Sequence, residues 1–97
     1  SIATCNVTIN FGASVGYCRV VATIFENGAI KTFNQNKNSG DFSIQNVVCD
    51  SMICIGGSNA FDVAYNYSIS NLSTKSYYLI APSTVGDYTA TIIEYED

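Results

Sequence analysis

Ninety-seven residues can enclose one hydrophobic core and little more, and with 47% of them hydrophobic the composition supports one. Only 12% are charged, about half the usual share, so Asn, Ser and Thr (10, 11 and 8 copies) must supply the hydration. The net charge is −4, and the four cations Arg19, Lys31, Lys37 and Lys75 form no basic stripe, which argues against nucleic acid and anionic membrane as partners.

The chain begins at Ser1 and carries neither a charged-then-apolar leader nor an apolar run near the roughly 20 residues of a spanning helix. A mature secreted chain whose signal peptide has been removed is the expectation, with residues 1–97 as a single domain and no membrane span. The first strand signal surrounds Cys5: Cys5, Val7 and Ile9 alternate with Thr4, Asn6, Thr8 and Asn10. A connection over 11–16 follows, then a second strand from Tyr17 to Glu26. Asn27-Gly28 is the best local signal, because both residues tolerate the positive φ of a type I′ turn. A two-residue hairpin there sets Phe25 opposite Ile30, Thr23 opposite Thr32 and Ala22 opposite Phe33.

Residues 34–40 (NQNKNSG) are polar, turn-rich and aperiodic, and read as a loop. Phe42 and Ile44 alternate with Asp41, Ser43 and Gln45 and lead into Val47-Val48-Cys49. Residues 49–57 read as a tight excursion ending in Gly56-Gly57. Next comes the cleanest alternation, with Phe61, Val63, Tyr65, Tyr67 and Ile69 on one side and Asp62, Ala64, Asn66, Ser68 and Ser70 on the other. After a loop over 71–75, a strand from Tyr77 to Ala81 stops at Pro82, which cannot donate to a ladder. Val85-Gly86-Asp87 turns the chain into a final strand from Tyr88 to Tyr95.

The fold expected from this pattern is all-β, with about seven antiparallel strands in a two-sheet sandwich and a small closed barrel as the alternative. The sandwich resembles immunoglobulin or fibronectin type III architecture in layout only, since the chain has no Trp.

Cys5, Cys18, Cys49 and Cys54 are an even set in a short chain, which points to two disulfides. Zinc is the rival, but Cys5 and Cys18 are too far apart for a ligand pair and there is no His. Cys5–Cys18 and Cys49–Cys54 are the expected pairs, the first because neighbouring strands would set those two residues opposite each other.

Without His the commonest general base at neutral pH is missing, and no Ser-His-Asp or Cys-His arrangement can be built. The carboxylates Glu26, Asp41, Asp50, Asp62, Asp87, Glu94, Glu96 and Asp97 could in principle form a hydrolytic pair. Their turn, tail and solvent-phase positions favour hydrated surface charge instead. No EF-hand loop occurs, and only incidental calcium at Asp41, Asp50 or Asp87 is conceivable. No enzyme activity, cofactor or resident metal is expected.

Three sequons, at Asn6, Asn66 and Asn71, fall on solvent-phase or loop positions and are geometrically open to glycans. Seven Tyr supply ring area with a polar tip. Tyr65 and Tyr67 belong to the core row, while adjacent Tyr77 and Tyr78 must point to opposite faces, making one of them a contact candidate. Met52 and Ile53 are either a contact knob or a plug for one end of the core. The expected function is a secreted, non-enzymatic recognition module binding a protein or carbohydrate through its loops. A small secreted toxin, effector or inhibitor is the alternative, and an adhesive or structural subunit pairing through sheet edges is a third class.

Overall fold

Asn27 and Gly28 both hold positive φ, 53° and 77°, and the hairpin they close has the expected register: Phe25–Ile30, Thr23–Thr32 and Ala22–Phe33 face one another. It is one part of a computed structural model that describes residues 2–12, 15–38 and 40–96. Ser1, residues 13 and 14 of the first connection, Ser39 of the expected loop and the Asp97 carboxylate lie outside the described residues.

The described residues form eight strands rather than seven: β1 Thr4–Phe11, β2 Val15–Glu26, β3 Ala29–Lys37, β4 Phe42–Val48, β5 Ile53–Asn59, β6 Ala64–Ile69, β7 Lys75–Ile80 and β8 Thr91–Glu96. Two readings change. The polar run 34–37 is strand, because β3 pairs with β2 as far as Lys37–Cys18. The expected excursion over 49–57 contains the start of β5, whose Gly56 and Gly57 pair with Arg19 and Cys18.

The strands form one sheet curled into a half-barrel, ordered β6-β5-β2-β4-β1-β7-β8 with β3 also on β2. Among the described residues there is this one sheet and not the expected two-sheet sandwich. The branching follows from strand edges. β3 covers residues 18–26 of β2, so the partners of Val15–Val21 on β5 and of Ile24 on β4 share the opposite edge. Two wings therefore leave β2 side by side, and curling brings their inner faces together. A single parallel bridge between Asn66 and Thr89 links β6 to the segment before β8. Not every pairing is antiparallel, because β1 runs parallel to β7, with Ile9 beside Tyr77.

The inner faces supply the core: Val7 and Ile9 from β1, Val20 and Ala22 from β2, Phe42, Ile44 and Val47 from β4, Ile53 and Ile55 from β5, Tyr65 and Ile69 from β6, Tyr77 and Leu79 from β7. The change of phase along β4 comes from a bulge. Two residue steps on β1, from Cys5 to Val7, match three on β4, from Val47 back to Ile44. Asn46 takes up the extra length at φ 59°, and its N–H donates to Asn6 Oδ1 at 3.3 Å. At one end Phe42 meets Phe11 and Phe33 edge-on at 5.6 and 6.3 Å, with the Lys37 ammonium 4.8 Å from its ring centre. Phe61, expected in the inner row, is 51% exposed, because the chain turns between β5 and β6 and the row begins only at Val63.

Candidate functional site

Neither expected disulfide forms, and all four cysteines are free thiols. The reason lies in strand order: β4 stands between β1 and β2, so Cys5 faces Val47 and not Cys18. Cys18 instead faces Gly57 and Lys37, with its side chain in the core. Cys54 projects outward from β5 opposite Val21 and Ser68, on the far side of the sheet from the core. Cys49 is half-buried in the turn after β4, with its thiol near enough to Cys5 to affect that group's titration. Burial, followed by the neighbouring Cys49 thiol, pushes the Cys5 thiol up to about 11; burial does the same for Cys18, with a smaller opposing effect from the nearby Tyr65 hydroxyl.

Of the pair expected as contact knob or plug, Met52 is 51% exposed and Ile53 is buried in the core. Likewise Tyr77 is buried, with its hydroxyl met by the backbone of Ser73, while Tyr78 turns to the outer face and is half-buried. Tyr65 is buried and Tyr67 packs partly against the core. The Tyr65 hydroxyl has no well-formed partner; the Cys18 thiol lies beside it as a weak one. The sequon residues Asn6, Asn66 and Asn71 are all exposed. Among the described residues no group of three or more Cys, Asp or Glu gathers in metal-binding geometry, and no helix is long and apolar enough to cross a membrane.

Two outward surfaces stand apart on an exterior that is rich in Ser, Thr and Asn and also exposes Ile30, Met52, Phe61, Val85 and Tyr88 elsewhere. The first is the outer face of β7 and β8. Register places Tyr78 opposite Ile93, flanked by Ile80 opposite Thr91 and by Ser76 opposite Tyr95. All six share one face, because opposed residues in an antiparallel pair project together. Ile80 and Ile93 are 40% exposed and Tyr95 49%. On the reverse face Tyr77 and Leu79 carry the core packing, so Tyr78 and Ile80 are not needed there. Alternation on β7 hides this surface in the sequence: Tyr77-Tyr78-Leu79-Ile80 is apolar in both phases and does not say which is outside. The signal that could have found it is Ile93 and Tyr95 sharing one phase of β8.

The second surface is an open groove of about 320 Å³ on the outer face of β2, β5 and β6. Its floor is low because Gly56 has no side chain between Arg19 and Asn66, which it faces on either side. Val21, Cys54 and Ser68 form the next cross-strand row. Arg19 Nε–H donates to Asn34 Oδ1 at 2.8 Å, which steadies the guanidinium beside the groove. Asn66 Oδ1 leans over the floor, 3.0 Å from where a Cβ on Gly56 would stand. The groove offers a guanidinium, an amide and a hydroxyl, a set suited to holding a polar ligand by hydrogen bonds. Both surfaces lie on sheet faces and not on the strand-connecting loops. Comparison with known proteins finds no family model, no curated protein and no solved structure that matches the chain.

Proposed function

We propose that this chain is a secreted, non-enzymatic recognition module that holds an extracellular protein on the outer face of β7 and β8. The observation that carries this reading is the cluster of Tyr78, Ile80, Ile93 and Tyr95 on one exposed sheet face. Outward positions on β4 and β6 are mostly polar, as with Ser43 and Gln45 or Asn66 and Ser68, and Tyr17 on β2 and Ile30 on β3 are exposed without a comparable four-residue cross-strand cluster. Apolar side chains kept in water on a sheet are a liability unless a partner covers them. Tyrosine adds area at low entropic cost, and its hydroxyl stays usable at a wet interface. β8 pairs only with β7 among the described residues, so its outer edge can also give backbone hydrogen bonds to an extended segment of the partner.

The Gly56 groove favours a second reading, in which the ligand is a carbohydrate held by Arg19, Asn66 and Ser68. A glycan on Asn66 would fill that groove, so glycosylation there and sugar binding there exclude each other. Screening against extracellular proteins and glycans with two variants separates the readings. Tyr78→Ala with Ile93→Ser removes binding to a protein, and Arg19→Ala removes binding to a sugar, each with unchanged melting. A ligand indifferent to both variants sinks both.

A further inference from the structure

The Cys49 backbone is pinned on two sides: its N–H donates to the Ala3 carbonyl at 3.0 Å, and its carbonyl accepts from the Leu72 N–H at 3.2 Å. In the β1–β4 register Cys5 faces Val47, so Cys49 lies two residues farther along and on the same face. The Cys49 thiol is near enough to raise the proton affinity of Cys5 but does not stand at bonding distance, so closure needs a small shift of the turn, and the Cys5 thiol points weakly at the Val47 carbonyl, 3.7 Å away. Cys18 and Cys54 have no such arrangement, since they project from opposite faces of the β2–β5 ladder. Cys5 is shut in the core at 6% exposure. Cys49 opens onto a groove of about 480 Å³ lined also by Ile2, Ala3, Ile30, Val48 and Asp50.

We propose that Cys5 and Cys49 are a paired redox site that closes to a disulfide between β1 and the turn after β4, with Cys49 as the attacking sulfur and Cys5 as the resolving one. The oxidant is a small-molecule disulfide of the glutathione class. The Cys49 thiolate attacks one sulfur, forming a mixed disulfide and expelling one glutathione thiolate. The Cys5 sulfur then attacks the Cys49 sulfur and expels the second. Two protein thiols and one oxidised glutathione become one protein disulfide and two reduced glutathiones, with the two thiol protons passing to the leaving sulfurs. Division of labour follows from access: a molecule of that size reaches Cys49 from the groove and cannot reach Cys5. The high proton affinity of Cys5 makes the second step the slower one and quickens it as pH rises. Closure fixes two segments far apart in sequence, so the oxidised chain melts higher.

The test is oxidation of the folded full chain by glutathione disulfide, followed by thiol titration, intact mass and peptide mapping. The expected result is loss of two titratable thiols, a mass lower by two hydrogens, a linked Cys5–Cys49 peptide and a melting temperature raised by several degrees. Cys49→Ser leaves Cys5 unmodified, whereas Cys5→Ser stops at a stable glutathione adduct on Cys49. Cys54→Ser closes like the wild type, which guards against a variant that merely unfolds. Four thiols still titrating, or linked peptides joining Cys5 to Cys18 or Cys49 to Cys54, would overturn the proposal.

Discussion

Asn59 and Val63 clasp each other twice across the turn between β5 and β6. The Asn59 N–H donates to the Val63 carbonyl at 3.1 Å, and the Val63 N–H donates to Asn59 Oδ1 at 3.0 Å. The same oxygen accepts the Phe61 N–H at 2.8 Å, and the Asn59 carbonyl accepts the Asp62 N–H at 3.1 Å. One buried side chain thus organises a turn in which Asp62 holds φ 58° and Phe61 is turned outward. Asn59→Ala strands two backbone donors and is expected to cost about 2–3 kcal/mol, read as a lower urea midpoint with the m-value unchanged. Phe61→Ser is expected to stay within about 0.5 kcal/mol, since that ring is outside the core.

Gly57 faces Cys18 across the β2–β5 ladder, with no room for a side chain. A Cβ there would stand 2.2 Å from the Tyr17 carbonyl oxygen and 2.8 Å from the Tyr65 hydroxyl. The backbone carbonyl cannot move without parting the ladder. Gly57→Ala is therefore expected to cost about 2 kcal/mol or more, by local overpacking. Gly28→Ala meets no atom within 4 Å and loses only the ease of φ 77°, about 1 kcal/mol. Paired thermal melts of the two variants give this order; the reverse order would mean that the strands are not in this register.

Alkaline pH is expected to weaken the reduced protein. Burial raises the Cys5 and Cys18 thiols from the ordinary 9.0 to about 11, so the unfolded chain loses those protons first. Below pH 9 both states hold them and stability is unaffected by them. Between about 9 and 11 stability falls, with a slope of up to about 1.4 kcal/mol per pH unit for each thiol. Urea titrations at about pH 8 and pH 10.5 measure this. Cys18→Ala should flatten the slope by roughly half. Equal stability at both pH values would show that these thiols are not buried.

What the sequence revealed was local. Asn27-Gly28 defined the hairpin register because a two-residue turn leaves one pairing. The phases of Val7 and Ile9, and of Tyr65 and Ile69, identified inner rows because alternation is a property of single strands. Sheet order was not legible, since β4 enters between β1 and β2 through long-range pairings such as Cys5 with Val47 and Ile24 with Val47, and the disulfide pairing failed with it. β5 was hidden by Gly56 and Gly57, which read as turn residues and serve here as close-approach and groove-floor positions. The end of β3 was hidden by Asn34-Gln35-Asn36, which are strand because β2 offers them partners. Of the candidate surfaces, Tyr78 was visible in outline, whereas the groove needs three strands side by side before Arg19, Gly56 and Asn66 meet.

The most direct measurement is the affinity of the folded chain for an extracellular protein returned by the binding screen, compared with that of the Ile93→Ser/Tyr95→Ser variant at matched melting temperature. A loss of tenfold or more, about 1.4 kcal/mol, is expected if those side chains lie at the centre of the contact. Undiminished binding by that variant, or a ligand lost only on Arg19→Ala, would contradict the assignment of the β7–β8 face.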